Sequence, residues 1–318
     1  MRRQKILNTN LDASVICLGT VNIGSSLDQK HSFALLDAYL EQGGNFIDTA
    51  KVYSDWLPGV KSSSEKTLGF WLKERNNRQQ VILATKGAHP ELDSMHVSRL
   101  TPKEIESDIR SSLENLQTDY IDLYWLHRDD PQQPVNDIIE TLTAQVKLGR
   151  IRYFGCSNWS LKRMQVAQDY AKLKGIVGFV ANQPYWCLAE VNVTSLTDKT
   201  LVVFDQATKE YHQESQVAVM PYSSQANGWF QKMAINNVSP HLHKIYRNRI
   251  SLERLNRVQK LANENGLTMT QVVLGYLISQ PFPTFPIIGA RNIAMLNDSL
   301  RAHNTQLTRE QLRFLESV

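Results

Sequence analysis

The 318-residue chain lacks the features that mark several protein classes. Its three cysteines, Cys17, Cys156 and Cys187, are odd in number and far apart. They offer neither a disulfide framework nor a paired-thiolate motif, and they fit a reducing, cytoplasmic setting. No apolar run approaches the ~20 residues of a membrane-crossing helix. The N-terminal MRRQKILNTNLDAS carries basic residues but no apolar stretch of a secretory signal. The fingerprint of a doubly wound dinucleotide-binding sheet is also missing, because residues 19–24 read GTVNIG without the GxGxxG spacing. Neither sign of charge dominates. With 35 basic and 31 acidic side chains the net charge is +4, which can help attract an anionic ligand but is no footprint of nucleic-acid binding. The most basic stretch, HLHKIYRNR at 241–249, reads as a solvated loop or helix face.

What the chain does have is alternation. Strand-like runs occur at 15–19, 46–50, 81–85, 121–126, 153–157, 177–182, 217–221 and 285–288. They are rich in β-branched and aromatic residues, and several lack strict polar alternation, as parallel strands buried on both faces do. Helical patterns occupy 29–42, 64–76, 102–117, 134–148, 160–173, 200–214, 251–265 and 269–279. Thr101-Pro102 with Glu104 is a helix start, and Ser160 can cap the next one. Eight strands and eight helices without a composition break predict an α/β chain forming a single (β/α)8 TIM barrel over 1–318. Two segments fall outside the repeat: a long loop at 223–250 and a short helix near 292–300. A short helix near strands seven and eight is a common phosphate site in this fold. Residues 308–316 read as a closing helix.

Chemistry gathers at the strand ends. Asp48 ends strand two, Lys86 strand three and His127 strand four, while Tyr53 follows strand two in the loop. Charges buried there are costly unless paired, and Asp48 and Lys86 can pair. A salt bridge alone leaves Tyr53 and His127 without a task. Carbonyl reduction gives them one, since it needs hydride at carbon and a proton at oxygen. Tyr53 could donate the proton, with Lys86 lowering the phenol from its usual pKa of ~10 and Asp48 orienting the lysine. His127 could hydrogen-bond the substrate oxygen or help relay the proton. Asp48 and His127 lack a third clear ligand, so no catalytic metal is expected.

The run FIDTAKVY, Lys86 in ATKG, His127 in DLYWLH, GCSN at 155–158, NQ at 182–183, PYS at 221–223 and IIGARN at 287–292 resemble the aldo-keto reductase superfamily over essentially the whole chain. The resemblance implies a (β/α)8 barrel, hydride transfer and an NADPH/NADP+ preference without metal or flavin. It makes Asp48, Tyr53, Lys86 and His127 the catalytic tetrad. It assigns Ser157, Asn158 and Gln183 to the nicotinamide carboxamide, Tyr222 to its ring and Arg291 to the 2′-phosphate. Asn292 would cap the following helix beside that phosphate, and Asp298 would keep the adenine contact. Gly19, Thr20, Ser223 and Gly289 complete the implied cofactor contour. Ile288 stands where the family pattern has proline, Met295 replaces a usual glutamine or arginine, and Asp298-Ser299 replaces a Glu-Asn pair. These departures leave room for NADH. The expected substrate walls are Asn22, Trp56, Trp125, Trp159, Trp186 and Trp229, around a small carbonyl or alcohol, with a lean toward a hydroxylated or sugar-like one. The alternative is a nicotinamide-nucleotide-binding regulatory or partner-binding subunit on the same barrel. No nucleic-acid or membrane partner is expected, and the sequence is silent on oligomeric state.

Overall fold

The computed structural model describes residues 1–59 and 61–317. The chain opens with a hairpin that the sequence did not signal: β1 (Arg3–Lys5) pairs antiparallel with β2 (Asp12–Ser14). Each strand holds three residues, too few for a visible alternation. Its Ile6, Leu11 and Ala13 join the inward side chains of the barrel in one cluster and so plug its N-terminal end.

Eight parallel strands follow, separated by helices: β3 (Cys17–Gly19), α1 (Gln29–Glu41), β4 (Phe46–Asp48), α2 (Ser63–Arg75), β5 (Ile82–Gly87), α3 (Pro102–Leu116), β6 (Ile121–Leu126), α4 (Val135–Lys147), β7 (Ile151–Ser157), α5 (Leu161–Lys174), β8 (Ala181–Gln183), α6 (Gln206–Ser215) and β9 (Ala218–Val219). Then come α7 (Trp229–Ala234), α8 (Pro240–Tyr246), α9 (Arg249–Asn265), α10 (Met269–Ile278), β10 (Ile287–Ile288), α11 (Ile293–Arg301) and α12 (Arg309–Glu316). The sheet runs β10-β3-β4-β5-β6-β7-β8-β9. It closes through β10 and the residues just before it: Val219 N–H donates to the Pro283 carbonyl (2.8 Å), Phe285 to Val219 (2.8 Å) and Ile287 to Pro221 (3.0 Å). The expected (β/α)8 barrel is thus observed.

Strand phase decides which side chains can meet. Cys17, Phe46, Ile82, Ala84, Leu123, Trp125, Ala181, Ala218, Met220, Phe285 and Ile287 fill the barrel interior. Their neighbours Leu18, Ile47, Leu83, Tyr124, Leu126, Phe154, Cys156 and Ile288 face the helix layer. Side chains alternate with period two, so residues two steps past an interior one face inward again.

Most helix bounds match the sequence patterns within about two residues. Thr101 and Glu104 form a full capping box, and the Ser160 hydroxyl takes the Arg163 amide. Two expectations need correction. The helix expected from 200 begins at Gln206, because residues 202–204 run extended beside Tyr185 (Tyr185 N to Val202 O 3.1 Å, Phe204 N to Tyr185 O 3.0 Å). The stretch 223–250 is not a plain loop: it holds α7 and α8 and the first two residues of α9. Both short helices bury apolar side chains, Trp229 and Phe230 from α7 and Leu242, Ile245 and Tyr246 from α8. Isolated helices this short are marginal in water, so packing stabilises them. Among the described residues no helix is long and apolar enough to cross a membrane.

One buried histidine makes the fold sensitive to acid. His212 Nδ1 lies 2.8 Å from the Val217 carbonyl, and Nε2 lies 3.2 Å from the Asn182 amide nitrogen. The carbonyl can only accept, so Nδ1 carries the hydrogen and Nε2 accepts from Asn182. Burial pushes the ring down to about 4. The neutral form is favoured in the fold, so the contribution is full above the unfolded value of ~6.5 and is lost as pH falls toward 4. Stability should drop by ~3 kcal/mol over that window on account of this side chain. Urea midpoints at pH 7 and pH 4 should differ less in His212→Gln than in the parent, and identical pH dependence would remove His212 as a cause.

Candidate active site

Interior phase carries the sequence-predicted residues to one rim. Gly19 stands two past Cys17, Asp48 two past Phe46, Lys86 two past Ala84 and His127 two past Trp125. Gln183, Tyr222 and Gly289 likewise stand two past Ala181, Met220 and Ile287. All lie at the C-terminal ends of their strands. The Lys86 ammonium, 1% exposed, donates to Asp48 Oδ2 (2.5 Å), the Thr49 carbonyl (2.7 Å) and the Tyr53 hydroxyl (3.0 Å). All three of its N–H donors are therefore used. Gln183 Nε2 donates to the other oxygen of Asp48 at 3.0 Å. Tyr53 is brought there by the turn after β4, where Lys51 N–H bonds the Lys86 carbonyl (3.0 Å) and Tyr53 N–H the Ala50 carbonyl (3.1 Å).

The electrostatics correct one expectation. Burial works to lower the Lys86 ammonium, but the Asp48 carboxylate and Tyr53 outweigh it and hold the lysine above its ordinary value. Burial raises the Tyr53 phenol, and the Lys86 cation offsets only part of this. The net shift is upward, opposite to the lowering inferred from the cation alone. Tyr53 is thus a protonated phenol at neutral pH.

His127 follows β6, its N–H on the Gly87 carbonyl (3.0 Å). Its ring stands edge-on to Tyr53 (centroids 6.2 Å apart) and to His89 (4.7 Å). Burial, then the Arg128 cation, pushes it well below an ordinary imidazole, so it is neutral. A charge just past a strand end ordinarily marks solvent, and Arg128 stands at such a place. It is instead buried, donating to the His127 carbonyl (2.8 Å), Thr200 Oγ1 (2.7 Å) and Asp198 Oδ2 (2.8 Å). Arg128 and His89 were both missed as site residues. The signal for His89 was its place three residues after Lys86.

The residues expected at a cofactor fall into two groups. Ser157 and Asn158 belong to a closed network. Ser157 Oγ donates to the Gln183 carbonyl (2.8 Å), and Asn158 Nδ2 to Ser157 Oγ (3.1 Å) and the His127 carbonyl (3.3 Å). Asn158 Oδ1 accepts from Val202 N–H (3.2 Å) and the Tyr222 hydroxyl (2.6 Å). The Asn158 amide is therefore engaged within the protein, holding its neighbours rather than waiting free. Thr20 Oγ1 donates to the Asp48 carbonyl at 3.1 Å. Gly19 packs tightly, since a Cβ there would lie 2.8 Å from Ile287 Cγ2. Asp298 accepts from Thr268 Oγ1 (2.9 Å), which fastens α11 to the start of α10. The second group is open. A Cβ on Gly289 would meet nothing within 4 Å, and Ser223 is half-buried. Arg291 is exposed and has no hydrogen-bond or ion-pair partner among the described residues. Beside it Asn292 Oδ1 accepts Met295 N–H at 2.9 Å and caps α11.

The six expected substrate walls separate in the same way. Trp56 is 52% exposed and stands edge-on to Tyr53 at 6.4 Å. Asn22 is half-buried, and its Oδ1 accepts the Ser26 hydroxyl (3.1 Å). Trp125 is wholly buried inside the barrel, paired in register with Lys86. Trp159 packs on Phe179 (5.0 Å), Trp186 on Phe204 (4.2 Å) and Trp229 on Phe230 (5.1 Å). These four tryptophans are core, because burying so large an apolar area outweighs leaving it at a rim.

The model of the Aldo/keto reductase family matches residues 15–318. The uncharacterized oxidoreductase YrpG of Bacillus subtilis is 30% identical, over 98% of this chain and 93% of its own. The NADP(+) aryl-alcohol dehydrogenase of Phanerodontia chrysosporium is 29% identical, over 99% of this chain and 85% of its own. Norsolorinic acid reductase stcV of Emericella nidulans is 27% identical, over 96% and 78%. A crystal structure of a thermostable aldo-keto reductase with the inhibitor epalrestat shares the fold, with a TM-score of 0.75 over 100% of this chain and 99% of that one at 20% identity. The chain belongs to the aldo/keto reductase family, whose members are oxidoreductases of small-molecule carbonyl compounds.

Proposed function

We propose that the protein is an NADP(H)-dependent oxidoreductase that interconverts an aldehyde or ketone and its alcohol, with the whole of 1–318 acting as one barrel domain. One observation carries this reading: a buried ammonium that bonds Asp48 and Tyr53 at once at the barrel rim. The open residues fit a phosphorylated dinucleotide. Arg291 is an exposed guanidinium, unpaired among the described residues, beside a capped helix start, where amides and dipole favour a phosphate. Gly289 leaves room for close approach, with Gly19, Thr20, Ser157, Asn158, Gln183, Tyr222, Ser223, Asn292 and Asp298 as the surrounding contour. The nicotinamide, when bound, supplies or accepts the hydride.

The rest is work for side chains. Tyr53 gives its phenolic proton to the carbonyl oxygen, breaking its O–H bond as the alcohol O–H forms. Lys86 stabilises the resulting phenolate, and Asp48 keeps the lysine charged and aimed. Neutral His127 hydrogen-bonds the same oxygen, and the barrel rim holds all four in place beforehand. Free, buried Cys17, Cys156 and Cys187 suit a reducing cytoplasm.

The test is loss of NADPH absorbance across aliphatic, aromatic and hydroxylated carbonyls. Aromatic carbonyls belong in the panel because relatives are named for aryl alcohols and norsolorinic acid. Binding of NADPH with every carbonyl left unreduced would favour a nucleotide-binding subunit instead. Cofactor choice has its own test. Arg291→Ala should weaken NADPH ~10- to 100-fold, the scale of a lost charge-assisted bond, and leave NADH nearly untouched. Equal weakening of both would remove the 2′-phosphate from its role.

A further inference from the structure

His89 lies outside the proton-transfer set, yet it is held with unusual care. The chain leaves β5 at Gly87 and turns through Ala88, whose φ of +56° is left-handed although it carries a Cβ. Such strain persists where surroundings over-determine it, often beside a functional group. Asp108 of α3 takes the Ala88 amide at 2.8 Å. Arg99 holds Asp108 through two bonds of 3.0 Å and the His89 carbonyl at 3.2 Å, and Lys51 also donates to Asp108.

The ring is fixed as well. His89 Nδ1 lies 2.6 Å from the Pro90 carbonyl. A carbonyl only accepts, so Nδ1 bears the hydrogen and Nε2 is a lone-pair acceptor. His89 is 8% exposed, yet Nε2 is not among the buried polar atoms that lack a partner. Among the described residues no group bonds it, so it opens to solvent. His127 is the reverse case: its Nδ1 is buried without a partner. An orphaned buried N–H is rarer than an under-used acceptor, so Nδ1 holds the lone pair and Nε2 the hydrogen. His127, edge-on to Tyr53, and His89, 4.7 Å from the His127 ring, thus offer one donor and one acceptor.

Resting on the reductase reading, we infer that His89 Nε2 is a specificity group, accepting a hydrogen bond from a hydroxyl on the carbon next to the substrate carbonyl. An α-hydroxy aldehyde or ketone presents the complement: a carbonyl oxygen for His127 and Tyr53, and a neighbouring O–H for His89. Burial, then the Arg128 cation, pushes His89 down to about 4, so the acceptor persists at neutral pH.

The experiment compares 2-hydroxyacetophenone with propiophenone, which differ by a hydroxyl in place of a methyl. The parent should show ~10- to 100-fold higher kcat/KM for the hydroxy ketone, the scale of one buried hydrogen bond. His89→Leu should collapse that ratio toward unity, mainly through KM, and His89→Gln, whose amide oxygen accepts, should restore part of it. The same ratio in parent and His89→Leu, or no preference in the parent, overturns the inference. Should the parent reduce neither ketone, the wider carbonyl panel decides the reductase reading on its own account. The ratio of the two ketones' Kd values with NADP+ present, by calorimetry, then decides the His89 contact.

Discussion

Tyr53→Phe lowers kcat for carbonyl reduction by ~10²- to 10⁴-fold, the span a positioned acid contributes, and leaves NADPH affinity almost unchanged. The substitution deletes one oxygen and keeps the ring. Trp56 and His127 retain their edge contacts at 6.4 and 6.2 Å, so packing at the rim survives. Lys86 loses one of three acceptors and keeps Asp48 and the Thr49 carbonyl. The pH profile of the parent follows from the phenol. Because burial raises Tyr53 above its ordinary value, it stays protonated through neutral pH, and reduction falls only in the alkaline limb where the proton is lost. Steady-state kinetics of both proteins with one good carbonyl, alongside cofactor titrations, measure this. Turnover within tenfold of the parent would mean that another acid protonates the oxygen.

Lys86→Met has the second large effect, on stability as well as on chemistry. Asp48 is wholly buried, and without the lysine its charge keeps only the Gln183 amide. Removing one partner of a buried pair typically costs ~3–5 kcal/mol, because the other charge is left uncompensated. An exposed pair such as Lys260–Glu264, with side chains 61% and 56% exposed, would lose far less. Adding Asp48→Asn to Lys86→Met removes the stranded charge at nearly constant shape. The double variant should recover most of the urea midpoint while its turnover remains abolished. A double variant as unstable as the single one would show that the loss comes from packing of the lysine stem rather than from charge.

Much of this site was legible in one dimension because barrel strands have a fixed period. Asp48, Lys86, His127 and Gln183 each sit two residues beyond an interior apolar residue, so once the strands are placed their inward aim follows. Helix starts were equally local. Thr101, Ser160 and Asn292 each cap through a bond to the amide three residues on. The tryptophans were not legible. Nothing in their flanking residues distinguishes Trp56, exposed beside Tyr53, from Trp186, stacked on Phe204 18 residues later in the chain. The burial of Arg128 is hidden for the same reason. Its partners, Asp198 and Thr200, lie about 70 positions away, and a charge after a strand ordinarily marks solvent.

The sequence by itself determined the eight-strand alternation, the family and the inward aim of Asp48, Lys86, His127 and Gln183, since these depend on short-range periodicity and caps. Tertiary structure decided the rest. It set the sign of the Tyr53 shift, where burial outweighs the nearby cation. It folded 223–250 into helices that only packing can stabilise. It also placed His89 against His127, through a turn held by Asp108 and Arg99. Each of these outcomes depends on desolvation or on contacts between distant segments, neither of which local periodicity encodes.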